Sequence, residues 1–522
     1  YKLYGSNDGT NWDVLVHKRT TVSYTQQISV ANDYFEENIN VNNQYQYFGL
    51  VANQLNGNEQ ILNFDEWYIY GKEFISEEPE YKLLTFEHEA VEDLLIDFEP
   101  YNTQSTWTNY INSLQTDGFV QSYDLNYILN PGYTNAVFKS NVAIGYIDFI
   151  IPSGYDSCDI TYGREGSDDP AQLKINDIDV DSTNENLKTY TATNLVSGQI
   201  IRIYENHGQI NRKIKLIYYN TQTEYTVNFP AETECDILIV GGGGGGGGVE
   251  EPATSGSGGG GGGGGVIFLQ NQTISTGSYI IKVGKGGKGY DIADSTRQTG
   301  ERGYNSSFNY IQTEAIGGGG GGTRGISFLS QGLEGGSGGG SSHTNGSTDT
   351  PGGLGTVVNL LKADGTVLIE NYRQGYNGGT TVYESPYSGG GGGAGGNGFG
   401  SADTPDDSAG GIGRAEENGV DFKTYFNIAS GIGEHHTDSK VYFAGGGASG
   451  YRSNDANHSN GGLGGGGSSS NGPSENGVAN TGGGGGGARS GTAGTIQTGG
   501  NGGSGIVIIR YKTQYQATTH GA

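Results

Sequence analysis

Eight consecutive glycines at 241–248, and eight more at 258–265, constrain this chain more than any other feature. Glycine has no Cβ and loses more backbone freedom on folding than any other residue, so a run of it favours neither an α-helix nor an ordinary strand. Further tracts stand at 317–322, 338–340, 389–393, 464–467 and 482–487, and of the 99 glycines only 13 precede residue 241. Apolar bursts alternate with the tracts, among them Val266 to Leu269, Tyr279 to Val283, Ile326 to Leu329, Val357 to Leu361, Val441 to Phe443 and Ile506 to Ile509. A flexible linker has no use for such bursts. Collagen needs glycine at every third position and abundant proline, whereas this chain has 11 prolines in 522 residues. What remains is the threefold extended helix, which rises about 3.1 Å per residue, so that eight residues span roughly 25 Å. Without Cβ atoms such helices approach until N–H and C=O groups bond between neighbours, and apolar strands must frame the raft. The expectation is that 241–248, 258–265 and 482–487 lie side by side, with Asp236 to Val240 and Gly505 to Tyr511 in one sheet.

The first half is different material. Residues 1–75 read as short strands and turns, with Tyr1, Leu3, Ser6, Asp8, Gly9 and Trp12 in the pattern Y-x-L-x-x-S-x-D-G-x-x-W and Glu66, Tyr70, Gly71 closing. That segment resembles the C-terminal half of a discoidin (F5/8 type C) sandwich, which implies an upstream first half carrying most of the ligand loops. Gln46 to Leu50 depart from the family's arginine-flanked pattern. Glu77-Glu78-Pro79-Glu80 forms a joint, and period-two segments from there to 224 predict a second antiparallel sandwich, 78–224, of the jelly-roll, carbohydrate-binding kind by architecture. Thr106 to Leu114 is its one helical stretch. From about 225 to 511 the chain resembles the polyglycine-II domains of phage tail adhesins and of giant-virus and environmental surface proteins, on Val240 to Gly244 at the opening and Gly502 to Tyr511 at the close. A tail, 512–522, follows. The predicted class is therefore all-β in three modules.

Chemistry is sparse. A strand, Asp236 to Val240, followed by glycines matches a dinucleotide fingerprint only because homopolymer matches every glycine pattern, and no helix follows. Gly284 to Gly289, GKGGKG, lacks the hydroxyl residue of a P-loop and reads as a hairpin with solvated lysines. His435-His436 reads as surface. The carboxylates Glu87, Glu89, Glu92, Asp93, Asp97 and Glu99 read as a solvated acidic face, with glycoside hydrolysis as the alternative. Asp177, Asp179 and Asp181 share one face of an extended segment; the reading is a polar hairpin, and calcium is the one cofactor they could hold, though not as an EF-hand. Trp107, Tyr110, Tyr123, Tyr127 and Tyr133 are the densest aromatic group of the middle module, read first as core and second as a carbohydrate platform. Sequons at Asn271, Asn305, Asn345 and Asn457 are candidate glycosylation sites. Cys158 and Cys235 allow a single bridge or two packed thiols.

Twenty-eight basic against 56 acidic residues give a net charge of −28, which repels phosphate backbones, so nucleic acid is not an expected partner. No apolar stretch reaches membrane-spanning length. The chain contains no Met and opens inside a module, which points to a piece of something longer. The functional expectation is a non-enzymatic structural and adhesive protein, extracellular or on a virion surface. Its partners would be glycans or neighbouring surface-protein subunits, with a homopolymer as one form of assembly. Ice or lattice binding and a glycan-hydrolase accessory role are the alternatives.

Overall fold

The apolar run Asp236 to Val240 lies within the strand Thr233–Val240, and Ile506 to Ile509 within Ile506–Lys512; in the computed structural model the two pair antiparallel, Val240 opposite Ile506 and Leu238 opposite Ile508. The ends of the glycine-rich region thus close on each other, as expected from their composition. The structure describes residues 2–6, 8–17, 47–51, 81–98, 104–124, 145–164, 173–176, 178–180, 188–205, 211–249, 256–291, 299–324, 330–342, 349–382, 387–400, 409–418, 420–450, 459–469, 474–489 and 498–512. Antiparallel sheets dominate them, so the all-β class holds.

Val266–Ile274 flanks Thr233–Val240, and Tyr81–Glu87 flanks Ile506–Lys512, completing a four-stranded central sheet. Ile237 to Val240, Val266 to Leu269 and Ile506 to Ile509 are buried on both faces, which is why these stretches read as unbroken apolar runs and not as alternation. Ile237, Ile239, Ile267, Leu269, Val507 and Ile509 pack on Val227, Phe229, Ile281, Val283 and Phe308 of a three-stranded sheet built from Gln222–Phe229, Gly277–Gly284 and Ser307–Phe308. Leu238, Val240, Val266, Phe268, Ile506 and Ile508 face the other way, onto Phe422 and Phe426 of a short helix and onto Val441 and Phe443.

Residues 94–219 form a sandwich. Lys188–Ala192, Ser157–Arg164, Asn211–Tyr219 and Leu94–Asp97 make one sheet; Ile178–Val180, Leu173–Ile175, Ile200–Glu205, Gly145–Ile150 and Val120–Asp124 make the other. Their inward residues, including Ile160, Leu216, Phe149 and Ile201, form one core, which the helix Gln104–Thr116 joins through Ile111 and Leu114. The predicted short helix at 106–114 is therefore present and one turn longer in all.

One boundary differs from expectation. Tyr81–Glu87, placed by its alternation in the middle module, pairs along its whole length with Ile506–Lys512. The sandwich is consequently an insertion: the chain leaves the central sheet after Glu87 and re-enters the glycine-rich frame at Gln222. Nothing local distinguishes a strand that pairs with its neighbours from one that pairs some 420 residues away.

Residues 1–80 are a separate compact unit. Within it Lys2–Ser6 pairs with Asp13–His17 and with Tyr47–Val51. The linking turn explains the SxDGxxW spacing. Asp8 accepts from the Thr10 and Asn11 N–H groups (2.8 and 2.7 Å), Ser6 Oγ accepts from Gly9 N–H (2.9 Å), and Trp12 Nε1 donates to the Gly9 carbonyl (3.1 Å). Gly9 has φ +69°, where a side chain would be strained. Trp12 lies against Gly49, where an added Cβ would come within 3.2 Å of its ring.

Candidate functional site

The glycine tracts form the most distinctive surface and interior of the molecule. In a threefold helix, successive residues point to three directions and every third N–H reaches the same neighbour. Along 241–248, Gly244 and Gly247 donate to Gly262 and Gly259 (2.8 and 2.9 Å), Gly242 and Gly245 to Tyr304 and Glu301, and Gly243 and Gly246 to Gly503 and Gly500. Its carbonyls accept from Gly318 and Gly321, from Gly287 and Tyr290, and from Gly485 and Ala488. The tract therefore has six hydrogen-bonded neighbours, three receiving and three giving. The 258–265 tract repeats this: Gly261 and Gly264 donate to Gly485 and Gly482 (2.9 and 2.8 Å). The three tracts named from sequence are thus mutually bonded. A Cβ at Gly262 would fall on the Ser337 carbonyl oxygen, and one at Gly244 on that of Gly319.

The GKGGKG segment is part of this raft and not a hairpin. Gly287 and Tyr290 donate to Gly243 and Gly246, and the lysines one threefold repeat apart, Lys285 and Lys288, emerge on one side. There both meet Asp93 of the inserted sandwich (3.2 and 2.6 Å) and approach the Tyr219 ring (5.9 and 5.1 Å). Asp93 is thereby removed from the expected solvated acidic face. Burial pushes its carboxyl up, but the Lys288 hydrogen bond and the two lysine charges outweigh this and hold it below its usual 3.8. Asp156 accepts from Thr221 N–H, Thr221 Oγ1 and Gln222 N–H (2.9, 2.7 and 3.2 Å), and Glu89 N–H donates to Thr223 Oγ1 (2.9 Å). His88 Nδ1 lies 3.1 Å from the same hydroxyl; burial, assisted by Lys285, lowers its pKa below 6.5. The insertion is fastened at both crossings.

The sequence-derived sites distribute as follows. Tyr110 is half-buried and meets Phe98 edge-on at 5.1 Å, and Tyr123 bonds Asn112 (3.1 Å); both pack on the sandwich core. Trp107 lies in the helix Gln104–Thr116, while its side chain, Tyr127 and Tyr133 lie outside the described residues. Asp179 lies in the strand Ile178–Val180; Asp177 and Asp181 lie outside the described residues, as do Asn345 and Asn457. Among the described residues, no group of three or more His, Cys, Asp or Glu is placed to hold a metal ion. Asn271 is exposed in a left-handed bulge (φ +53°). Asn305 is half-buried: its Nδ2 donates to Glu314 (2.7 Å) and its Oδ1 accepts from Gly317 N–H (2.9 Å). Cys158 and Cys235 are free, buried thiols in separate cores. Burial pushes both up, Cys235 to about 12, so neither is a thiolate near neutral pH. No helix among the described residues is long and apolar enough to cross a membrane.

Sequence reasoning missed the asparagines of the outer tracts. Gly355 N–H donates to Asn377 Oδ1 (2.9 Å) and Asn377 N–H to Asn397 Oδ1 (3.1 Å); Gly289 N–H donates to Asn501 Oδ1 and Asn501 N–H to Asn476 Oδ1, both 2.8 Å. Each is followed by glycine, and that recurrent Asn-Gly pair was the available signal.

A raft of backbone-bonded glycine helices, framed by doubly buried strands, is a structural scaffold by construction. The model of a family described as a glycine-rich domain matches residues 220–512, more than half of the chain, and the protein belongs to that family. No curated protein matches the chain.

Proposed function

We propose that this is a non-enzymatic structural and adhesive surface protein, in which the glycine raft is a stiff support and the inserted sandwich is the module it presents. The observation that supports this reading best is the double crossing at Glu87 and Gln222, locked by Asp93, Lys285 and Lys288. A module held at two points on a rigid body keeps its orientation relative to that body, whereas one on a single flexible linker does not. The raft itself offers little chemistry, because its polar groups are bonded to one another and its side chains are mostly hydrogen. The resemblance of the C-terminal part to polyglycine-II surface domains, and of residues 1–75 to half a discoidin sandwich, favours an extracellular or virion-surface setting with glycans as the partners. Trp107 and its neighbouring tyrosines in the middle module are the aromatic surface proposed for them. The test is a glycan array read with the whole chain and with Trp107→Ala. Binding lost with melting unchanged supports the reading; no binding to any glycan, or release of reducing sugar from a polysaccharide panel, overturns it.

A further inference from the structure

The raft raises a problem that its own physics creates. A polyglycine helix at the edge of the lattice has N–H and C=O groups facing outward, and these would accept another helix as readily as an exposed β-strand edge accepts another strand. Interior tracts such as 241–248 satisfy this demand with six neighbours. Outer tracts have fewer, and a second copy of the same chain carries many more glycine runs of the right conformation.

We infer that the four Asn-Gly pairs at 377–378, 397–398, 476–477 and 501–502 are terminators of the polyglycine lattice, closing its edge against addition of a second copy. In each, the asparagine Oδ1 accepts an N–H of the adjoining tract while the following glycine N–H donates back to that same tract. Asn397 accepts from Asn377 N–H, and Gly398 N–H returns to the Asn377 carbonyl (3.1 and 2.9 Å). Asn476 accepts from Asn501 N–H, and Gly477 N–H returns to the Asn501 carbonyl (2.8 and 2.7 Å). Asn377 and Gly378 clasp Gly355 and Gly353 in the same way, and Asn501 and Gly502 clasp Gly289 and Gly287. The side-chain amide thus stands in for the carbonyl that a further helix would supply. The clasps come in two ladders, one running 355 to 377 to 397 and the other 289 to 501 to 476, each crossing three tracts sideways. All four asparagines are exposed, so each clasp sits at the raft's outer surface and not in its interior. Asparagine suits the position because its amide is short, uncharged and offers the acceptor geometry of a peptide group.

This inference rests on reading the raft as a scaffold, and its test separates the two. In the whole chain, Asn397→Gly should raise amide exchange at residue 377 about tenfold, the loss of one hydrogen bond, while Gly244 and Gly262 stay protected. Asn397→Asp, which keeps the oxygen, should leave exchange at 377 near the wild-type rate. The double variant Asn377→Gly, Asn397→Gly should populate species of two or more chains in mass photometry at concentrations where the wild type has one. Unchanged exchange at 377 in Asn397→Gly, or faster exchange without any added mass in the double variant, overturns the terminator role. Loss of protection at Gly244 in the wild type itself would instead overturn the scaffold reading.

Discussion

The inserted sandwich and the glycine raft solve one problem by opposite means. In the sandwich, backbone groups are satisfied within each sheet and stability comes from side chains such as Phe149, Ile160 and Leu216 meeting between sheets. In the raft, the interior is mostly backbone with a few small side chains such as those of Ser257, Ser337 and Ala448, and neighbours are held by N–H to C=O bonds running in three directions. The sandwich is vulnerable to lost volume and the raft to gained volume. Each raft bond nets only about 0.5–1.5 kcal/mol, and glycine carries the largest ordering cost of any residue. The raft therefore depends on the apolar strands that clamp its ends, whereas the sandwich has a core of its own.

The sharpest way to break this comparison is to remove the clamp. Deleting Ile506 to Ile509 takes the partner away from both Thr233–Val240 and Tyr81–Glu87. Hydrogen exchange should then show protection lost throughout the tracts and retained at Phe149 and Ile160. Retained protection at Gly244 would mean the raft supports itself.

A smaller effect is expected from added volume. Gly262→Val drives a Cβ into the Ser337 carbonyl, a backbone atom that cannot rotate away, and should cost about 3 kcal/mol, the upper end of overpacking. Calorimetry of the whole chain checks this, and an unchanged melting profile would show that the tract is not close-packed. Taking volume away from the sandwich is milder: Ile160→Val should cost about 1 kcal/mol, the usual price of one buried methyl group. A much larger loss there would make the two regions alike.

The smallest effect concerns the junction between them. His88 has a folded pKa below its unfolded 6.5, so the unfolded chain binds the extra proton and stability falls as pH drops below about 6.5. Asp93, depressed below 3.8, contributes stability that is present above that value and lost as pH falls through its lower folded pKa. Melting temperature should decline on acidification first below about 6.5, a step abolished by His88→Gln, and again below about 3.8, a step reduced by Asp93→Asn and shared with Asp148, which Arg202 likewise holds below 3.8. A single step that neither variant alters would place the acid sensitivity elsewhere.

Several of these features are legible in the sequence. Unbroken apolar runs at 237–240 and 506–509 announced strands buried on both faces, and tract length with the absence of Cβ announced interhelix backbone bonding. A short helix over Thr106 to Leu114 was legible from its own residues, and the structure extends it to Gln104–Thr116. The lysines of GKGGKG were not, since a hairpin and a threefold helix share that composition and only Asp93 across the junction distinguishes them. The sequon at Asn305 marks an acceptor pattern, while its bonds to Glu314 and Gly317 are set by the packing of distant tracts.

By itself, then, the sequence determined the all-β class, the raft and the strands that frame it, because each follows from periodicity, burial and glycine's missing Cβ within a few consecutive residues. Tertiary structure alone decided that Tyr81–Glu87 belongs to the central sheet, that the sandwich is an insertion fastened at both crossings, and that asparagines close the lattice edge. Those outcomes depend on which distant backbone supplies each donor and acceptor. A hydrogen bond between residues hundreds of positions apart leaves no mark on the local pattern of either one.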